Sequence, residues 1–243
     1  MAKSTGDERK LFSHIRPKSA IAEAFRTLRT NISFSSPDGL NRTMLITSPL
    51  PEDGKSTVTV NLGTVIAQAG SRVLLVDCDL RKPVVHKYFG LDNRQGLTNL
   101  LVQDIALENV VCATEVEGLY AISSGPIPPN PSELLGSAKM AGLLARMAEE
   151  YDVVLLDAPP VIAVTDAALL APLVDSVLLV LKSGSSRIDI ARAAKEQLEK
   201  ANAKSIGVVL NQAGERGDGY YSRYYRYYGD REPSSGKKEV FST

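Results

Sequence analysis

Short runs of consecutive apolar residues recur along the chain, and stretches that read as helices separate most of them. A continuously apolar run is typical of a β-strand that is buried on both faces. The alternation of such strands with helices predicts an α/β fold, in which helices cover both faces of a mostly parallel β-sheet. The predicted strands are 43–48, 72–79, 118–123, 151–160, 175–182 and 205–211. The predicted helices are 16–32, 55–70, 137–150, 166–172 and 187–201.

The two ends of the chain depart from this alternating pattern. Residues 214–243 are mainly Gly, Tyr, Ser, Arg, Asp, Glu and Lys, with too few aliphatic side chains to form a core, so we expect a flexible tail there. We expect residues 1–15 to form a flexible N-terminus. One domain remains over residues 16–213, and Ser19 is placed to cap its first helix, at about residues 18–33.

The composition is ordinary for a soluble globular domain, with 44% hydrophobic and 23% charged residues in a chain of 243. The 28 basic residues balance the 28 acidic ones, so bulk charge predicts affinity neither for nucleic acid nor for a membrane surface. The apolar runs are too short to cross a bilayer and the first residues lack a signal-peptide core, so we expect a cytoplasmic protein. Cys78 and Cys112 fit a reducing compartment and form no metal-binding motif.

The stretch SPLPEDGKST, residues 48–57, has the pattern of a phosphate-binding loop. Such a loop joins a strand to the N-terminus of a helix, where backbone N–H groups, a Lys and a Ser or Thr surround the phosphates and Mg²⁺. Gly54, Lys55 and Ser56 match the end of the motif GxxxxGK[ST], whereas Pro49 stands where the motif has its first Gly. We therefore predict a P-loop NTPase-type fold that binds a nucleotide with Mg²⁺.

Carboxylates follow the apolar part of two predicted strands. Asp77 and Asp79 end the strand RVLLVDCD, and Asp157 ends the apolar run of YDVVLLDAPP. Ligands bind at the carboxyl ends of strands in open α/β sheets, and an Asp at this place commonly holds Mg²⁺ in P-loop proteins. We expect Asp77, Asp157 and Ser56 to hold Mg²⁺. When two carboxylates lie beside one phosphate, one can bind the metal and the other can activate the nucleophile. Either Asp77 or Asp79 is therefore a candidate for activating a nucleophile.

The end of the last predicted strand bears on which base is bound. GTPases of this superfamily read guanine with the element Asn-Lys-x-Asp after a late strand. Here the strand ends LNQAGE, which keeps Asn211 but lacks the Lys and the Asp, so adenine is favoured and ATP is the expected nucleotide. The residues that we expect to contact the nucleotide are Asp53, Gly54, Lys55, Ser56, Thr57 and Asn211.

Together with SGPIPPNPSELL (124–135), LLDAPPVIAVTDA (155–167) and GYYSRYYRYYGD (219–230), these motifs resemble the bacterial tyrosine kinases (BY-kinases) of capsule and exopolysaccharide synthesis. The resemblance extends over about residues 15–230. It implies ATP-dependent autophosphorylation of the tail and phosphorylation of other proteins on Tyr. The implied acceptors are Tyr220, Tyr221, Tyr224, Tyr225, Tyr227 and Tyr228.

The resemblance also implies roles for the site residues. Asp79 is the preferred candidate for orienting or deprotonating the phenol, although Asp77 could exchange roles with it. Arg81 or Lys82 could stabilise charge on the transferring phosphoryl group. The proline-rich segment 124–135 shows no chemistry of its own and is interpreted as scaffold, with Ser132 placed to cap a short helix. The implied catalytic residues are Lys55, Asp77, Asp79 and Asp157.

The partners that we expect follow from the same resemblance. The family's ExxRxxR helix is matched by Glu23, Arg26 and Arg29, which implies a ring-shaped homo-oligomer, an octamer in the family. Taken by itself, this charged helix face is more simply interpreted as a face exposed to solvent. The family further implies a cognate tyrosine phosphatase and a membrane adaptor, whose cytosolic C-terminal segment activates the kinase and recruits it to the inner face of the cell membrane. Phosphotyrosine charge accumulated on the tail should loosen the ring.

Three alternatives remain open from the residues alone. A partitioning or cell-division ATPase would carry an additional Lys at position 50, where this chain has Leu50. A nucleic-acid-binding module could stack bases on the tail's tyrosines, but the balanced charge argues against a nucleic-acid partner. A scaffold that only binds nucleotide would not need the full set of Lys55, Asp77, Asp79 and Asp157.

Overall fold

The structure is a computed structural model and describes residues 11–35 and 41–213. All predicted strands are present, and a short additional one, β3, precedes β4. The strands are β1 Thr43–Thr47, β2 Val73–Asp77, β3 Cys112–Ala113, β4 Leu119–Ile122, β5 Val153–Asp157, β6 Ser176–Lys182 and β7 Ile206–Asn211. The helices are α1 Phe12–Ile15, α2 Ala20–Phe34, α3 Lys55–Ala67, α4 Val85–Tyr88, α5 Leu97–Val102, α6 Pro131–Leu135, α7 Ala138–Glu150, α8 Asp166–Leu170 and α9 Ile188–Lys200.

Within the described ranges, the strands form one seven-stranded sheet in the order β3-β4-β2-β5-β1-β6-β7. All neighbouring pairs are parallel except β3 with β4, which are antiparallel. The predicted mostly parallel sheet is therefore confirmed. Since β5 lies between β1 and β2, the carboxyl ends of these three strands form one contiguous edge, and the predicted site residues lie there.

Two hydrophobic cores fill the space between the sheet and its helices. Successive strand residues alternate between them, with Leu45 and Leu74 on one face and Met44 and Leu75 on the other. Helices α5 to α9 cover the first face, and α2 to α4 cover the second. Because both faces of its central part are covered, the central strands are apolar at most positions, and this is the pattern from which the fold was predicted.

The expectation of a flexible N-terminus over residues 1–15 is wrong for residues 11–15. Leu11 is only 2% exposed and belongs to the core beneath α2 and α3. The backbone N–H of Ser13, in α1, donates to the side-chain oxygen of Asn61 at 2.9 Å. A four-residue helix is too short to show a helical period, so the sequence pattern did not predict it. Residues 1–10 lie outside the described part of the chain.

Helix boundaries agree with the local signals in most cases. Ser19 caps α2, and its hydroxyl accepts a hydrogen bond from the N–H of Ala22. Helix α3 ends at Ala67, slightly before the predicted end, and Gly70 lies in the following turn with a φ of 97°. Helix α8 ends at Leu170 and continues as a 3₁₀ turn.

Within residues 11–35 and 41–213, no helix is both long and apolar enough to cross a membrane.

Candidate active site

The phosphate-binding loop joins β1 to α3, as predicted, and Gly54 is the residue before the first turn of the helix. Gly54 has a φ of 93°, in the left-handed region that disfavours side chains. A Cβ atom on Gly54 would lie 2.0 Å from the side-chain nitrogen of Asn211. Glycine is therefore required here by the backbone and by the close approach of the neighbouring strand.

The substitution Gly54→Ala should destabilise the loop by more than the cost of placing alanine in a left-handed conformation, because the added Cβ also collides with Asn211. Gly70→Ala is a matched control, because Gly70 has a φ of 97° and no described atom within 4 Å of an added Cβ. Both variants lose about 1 kcal/mol from the left-handed conformation, but only Gly54→Ala must also displace Asn211. We expect Gly54→Ala alone to lose nucleotide binding, measured by calorimetric titration. Equal losses in the two variants would contradict this account.

Asp53 stabilises the phosphate-binding loop through three hydrogen bonds. Its carboxylate accepts hydrogen bonds from the N–H of Leu50 at 3.1 Å and from the hydroxyl of Ser186 at 3.2 Å. Its backbone carbonyl accepts from the side-chain nitrogen of Asn211 at 3.0 Å. The Asp53 side chain is thus occupied with the loop, and its backbone N–H is the group that can meet a phosphate. Asn211 holds the loop in place, and its predicted contact with adenine stays a prediction.

Lys55 lies among the carboxylates that end the central strands. Its Nζ is 3.1 Å from Oδ2 of Asp79, 3.5 Å from Oδ1 of Asp157 and 3.2 Å from the hydroxyl of Ser56. Burial opposes the charged form of Lys55, but the carboxylates of Asp157 and Asp79 outweigh it and raise the pKa of Lys55. The ammonium group is therefore charged and stands where it can turn towards bound phosphates.

Asp77 is fully buried and directly opposite Asp157 in the register of β2 and β5. Its Oδ2 accepts hydrogen bonds at 3.0 Å from the N–H groups of Val84 and Val85, and its Oδ1 accepts from the N–H of Asp79 at 3.2 Å. Burial, followed by repulsion from Asp157, raises the pKa of Asp77 to about 8 despite these donors.

The raised pKa of Asp77 predicts how stability depends on pH. The pKa rises from 3.8 to about 8 on folding, so between these values the folded state binds a proton that the unfolded state has released. The free energy of unfolding should therefore fall as the pH rises through this window. Asp77→Asn cannot take up this proton, so its stability should fall less steeply. Urea unfolding of both proteins across the window measures the slopes, and equal slopes would exclude Asp77 as the source.

The carboxyl group of Asp157 is the part of the site that best fits a bound metal ion. Burial raises the pKa of its carboxyl group, against Lys55 and the hydroxyls of Ser56 and Thr59. Its Oδ2 is buried and has no hydrogen-bond partner among the described residues. A carboxyl group that interacts with the hydroxyl of Ser56 and has one unpaired oxygen fits Mg²⁺, which usually takes one or two protein carboxylates and completes its shell with phosphates and water. Asp77 fits a metal less directly, because backbone donors occupy both of its oxygens.

No group of three or more His, Cys, Asp or Glu side chains in residues 11–35 and 41–213 converges as a self-sufficient metal site. Ser56 and Asp157 therefore suit a metal ion whose other ligands come from the phosphates of a bound nucleotide and from water.

Arg81, which with Lys82 was a candidate for stabilising charge on the transferring phosphoryl group, binds a buried carboxylate in the structure. Its guanidinium group binds Asp166, at 2.9 Å from Nε and 3.1 Å from Nη2, and Nη2 also donates to the hydroxyl of Ser132 at 2.9 Å. Ser132 lies inside α6 rather than at its cap, which is Asn130, so its expected capping role is wrong. Lys82 is exposed, and its N–H donates to Asp79 at 3.0 Å.

Tyr88 is a further residue at the site that the sequence did not indicate. Its hydroxyl lies 2.8 Å from the hydroxyl of Thr57, so it connects the end of α4 to the first turn of α3. Helix α4 also supplies a backbone donor to Asp77, through Val85. The predicted contact of Thr57 with the nucleotide would therefore be made by a hydroxyl that Tyr88 already orients.

The residues predicted to form subunit contacts lie on or near the surface of α2. Arg26 and Glu23 form an exposed ion pair at 2.8 Å. Arg29 donates to the carbonyl of Val65 in α3 at 2.7 Å, so it also fastens α2 to its own domain. Ring assembly through these residues stays a prediction. The predicted tail, residues 214–243, and its acceptor tyrosines lie outside the described residues.

Comparison with known proteins first defines the class. A family model described as an AAA domain matches residues 53–192, which include the end of the phosphate-binding loop and the aspartates Asp77, Asp79 and Asp157. The sheet, the loop and this match together define a P-loop NTPase-type protein.

Closer relatives then define the family. The chain is 43% identical over 204 residues to the tyrosine-protein kinase YwqD of Bacillus subtilis, covering 84% of this chain and 86% of YwqD. It is 38% identical over 230 residues to the putative tyrosine-protein kinase CapB of Staphylococcus aureus, covering 95% of this chain and 100% of CapB. The kinase domain of Escherichia coli tyrosine kinase ETK superposes with a TM-score of 0.82 at 34% identity, covering 86% of this chain and 82% of that domain. The chain belongs to the bacterial tyrosine-protein kinases, so the resemblance is confirmed and the rival interpretations are set aside.

Proposed function

We propose that this kinase transfers the γ-phosphoryl group of ATP, bound with Mg²⁺, to tyrosines of its own tail and of other proteins. One observation carries the proposal: Lys55 stands at the start of α3 with its ammonium group 3.1 Å from Asp79 and 3.5 Å from Asp157. A charged lysine, two candidate carboxylates and a phosphate-binding loop thus meet at one edge of the sheet. Phosphoryl transfer depends mainly on positioning and charge stabilisation, which this arrangement supplies.

Each site residue has a role in this proposal. The backbone N–H groups of the loop and Lys55 hold the phosphates, and Ser56 and Asp157 would hold Mg²⁺, which neutralises phosphate charge when bound. When Lys55 turns to the phosphates, it leaves Oδ2 of Asp79 free for the incoming phenol. The phenol oxygen attacks the γ-phosphorus, the bond from that phosphorus to the β,γ-bridging oxygen breaks, and ADP leaves with the bonding electrons. Asp79 takes the phenol proton.

The wider setting of the reaction is also proposed from the family. Copies assemble into a ring through the ExxRxxR face of α2, so that the tail of one copy enters the site of the next. Phosphotyrosine on the tail adds about −1.5 to −2 charges for each group, and repulsion then loosens the ring. A membrane adaptor recruits the kinase to the inner face of the membrane, a cognate phosphatase resets it, and the cycle regulates capsule or exopolysaccharide export.

A mixture of two complementary variants tests transfer between copies. Lys55→Met keeps the tail but loses the cation of the site, and a chain truncated before Gly219 keeps the site but loses the tail. Neither should label itself with radioactive ATP and Mg²⁺. When the two are mixed, label should appear on tyrosine of Lys55→Met.

The parent protein and each variant alone serve as controls in that experiment. Absence of tyrosine label in the parent, with or without a peptide from a candidate adaptor, would contradict the kinase assignment. Labelling of the parent together with an unlabelled mixture would retain the kinase but exclude transfer between copies.

A further inference from the structure

Asp166 is a fully buried carboxylate that none of the proposed roles uses. It is the first residue of α8, and both of its oxygens are bound by side chains. Arg81 binds it in a two-point contact at 2.9 and 3.1 Å, and the hydroxyl of Ser132 donates to its Oδ1 at 2.6 Å. Arg81 also donates to Ser132 at 2.9 Å, so each of the three side chains contacts the other two. We call Arg81, Ser132 and Asp166 the rim cluster.

The rim cluster joins segments that follow three neighbouring strands. Arg81 lies in the loop after β2, Ser132 lies in α6 after the proline-rich segment that follows β4, and Asp166 lies beyond the segment that follows β5. These strands are adjacent, in the order β4-β2-β5. The cluster therefore ties together the carboxyl edge of the sheet on the side away from β6, β7 and Asn211.

The position of Arg81 within its loop gives the cluster a specific consequence. The carboxylate of Asp79 accepts a hydrogen bond from the N–H of Lys82 at 3.0 Å, which closes a tight turn over residues 79–82. Arg81 is the third residue of this turn, and its two-point contact with Asp166 attaches the turn to α8. The other oxygen of Asp79 faces Lys55 at 3.1 Å. Anchoring Arg81 thus sets the position of Asp79 relative to Lys55.

The contacts separate the rim cluster from nucleotide binding. Among the described residues, the side-chain hydrogen bonds and ion pairs of Arg81, Ser132 and Asp166 join these residues to one another and to Thr165, and none of them reaches residues 48–57. The loop residues are braced by a different set of contacts, from Ser186 and Asn211 on the opposite side. Loss of the cluster should therefore move the Asp79 turn and leave the phosphate-binding loop in place.

We propose that Arg81, Ser132 and Asp166 are positioning residues for the acceptor tyrosine: they hold the Asp79 turn and the proline-rich segment at a fixed separation, so that Asp79 meets the phenol oxygen. This inference rests on the proposed kinase reaction and adds the residues that set its acceptor side. It gives Arg81 a role through Asp79, whereas the expected contact of Arg81 or Lys82 with the transferring phosphoryl group stays a prediction.

Kinetics with a separate acceptor peptide test the proposal. The enzyme is the full chain, the acceptor is the peptide GYYSRYYRYYGD, and the variants are Ser132→Ala, Ser132→Thr and Asp166→Asn. A displacement of about 1 Å at a reacting group can lower a rate by about a hundredfold, so kcat/KM for the peptide should fall about tenfold or more in Ser132→Ala and Asp166→Asn. The affinity for ATP and Mg²⁺, measured by calorimetric titration, should change less than about twofold. Ser132→Thr keeps the hydroxyl and should restore the parent kcat/KM.

Each outcome decides the proposal. Loss of ATP affinity in parallel with kcat/KM would assign the cluster a general structural role and overturn the inference, as would an unchanged kcat/KM in Ser132→Ala. Failure of Ser132→Thr to restore activity would exclude the hydroxyl as the cause. If Asp166→Asn does not fold, the comparison of Ser132→Ala with Ser132→Thr still tests the proposal. A parent that does not phosphorylate the peptide would count against the proposed function, whereas an active parent with an equally active Ser132→Ala counts against this inference alone.

Discussion

Lys55→Met should abolish tyrosine phosphorylation and also destabilise the protein without nucleotide. Removing a positioned cation from a phosphoryl-transfer site lowers the rate by about a hundredfold or more. The same change leaves the buried carboxylates of Asp79 and Asp157 without their shared cation, because Lys55 lies 3.1 Å from one and 3.5 Å from the other. Breaking a buried ion pair from one side costs about 3 kcal/mol, and protonation of the raised-pKa carboxyl group of Asp157 offsets part of this at low pH.

Urea unfolding at about pH 8, where less of this compensation is available, measures the second effect. Lys195→Met is a matched control, because Lys195 pairs with Glu199 on the exposed surface of α9, and such pairs contribute little. We expect Lys195→Met to match the parent in activity and nearly in stability. A Lys55→Met protein that is as stable as the parent at this pH would show that the carboxylates do not depend on Lys55 before nucleotide binds.

The sequence predicted the parts of this site that are local along the chain. Gly54, Lys55 and Ser56 are consecutive, and their strand and helix are visible in the apolar pattern on either side. Asp77 and Asp157 were predicted because each directly follows an apolar run, and a parallel sheet brings such strand ends to one edge. The alternation of strands and helices was sufficient to predict the sheet, since both of its faces are covered.

The contacts that organise the site could not be predicted, because they join distant parts of the chain. The amide of Asn211 reaches the carbonyl of Asp53, and Arg81 reaches Asp166, and neither pair has a signature in spacing. The partner of Arg81 was missed for this reason: its place after Asp79 suggested that Arg81 or Lys82 could contact the phosphoryl group, whereas tertiary structure supplies a buried carboxylate as the partner of Arg81.

Short elements were missed for a different physical reason. Helix α1 has four residues and β3 has two, so neither completes enough of its period to be recognised. Their formation depends on tertiary contacts, such as the burial of Leu11 beneath α2 and α3. Sequence pattern alone therefore assigned residues 11–15 to a flexible N-terminus.

Asp157→Asn should also abolish phosphorylation, but with the opposite effect on stability. Asp157 is fully buried, one of its oxygens has no partner among the described residues, and burial raises the pKa of its carboxyl group. Asp79 and Asp157 share the single positive charge of Lys55, and Asp77 adds a further negative charge as the pH rises towards its raised pKa of about 8, so excess negative charge builds up in the site at high pH before Mg²⁺ binds. Asn keeps the shape and one acceptor oxygen while removing a desolvated charge, and we expect a gain of about 1 kcal/mol. Loss of a charge that holds the metal should lower phosphorylation by about a hundredfold.

The dependence on pH and on ligand separates this explanation from a simple improvement in packing. A carboxyl group with a raised pKa takes up a proton as the pH falls, so the stability advantage of Asp157→Asn should be largest at high pH and should shrink on acidification. Adding ATP and Mg²⁺ should stabilise the parent more than the variant, because the bound Mg²⁺ supplies a positive charge next to the Asp157 carboxylate, and the variant has no carboxylate there. An advantage that is independent of pH would indicate better packing instead of the loss of a charge. A variant less stable than the parent at about pH 8 would mean that Lys55, Ser56 and Thr59 already compensate the Asp157 carboxylate. In that case the unpaired oxygen would no longer support a role in holding Mg²⁺, and Asp79 would become the carboxylate to test in its place.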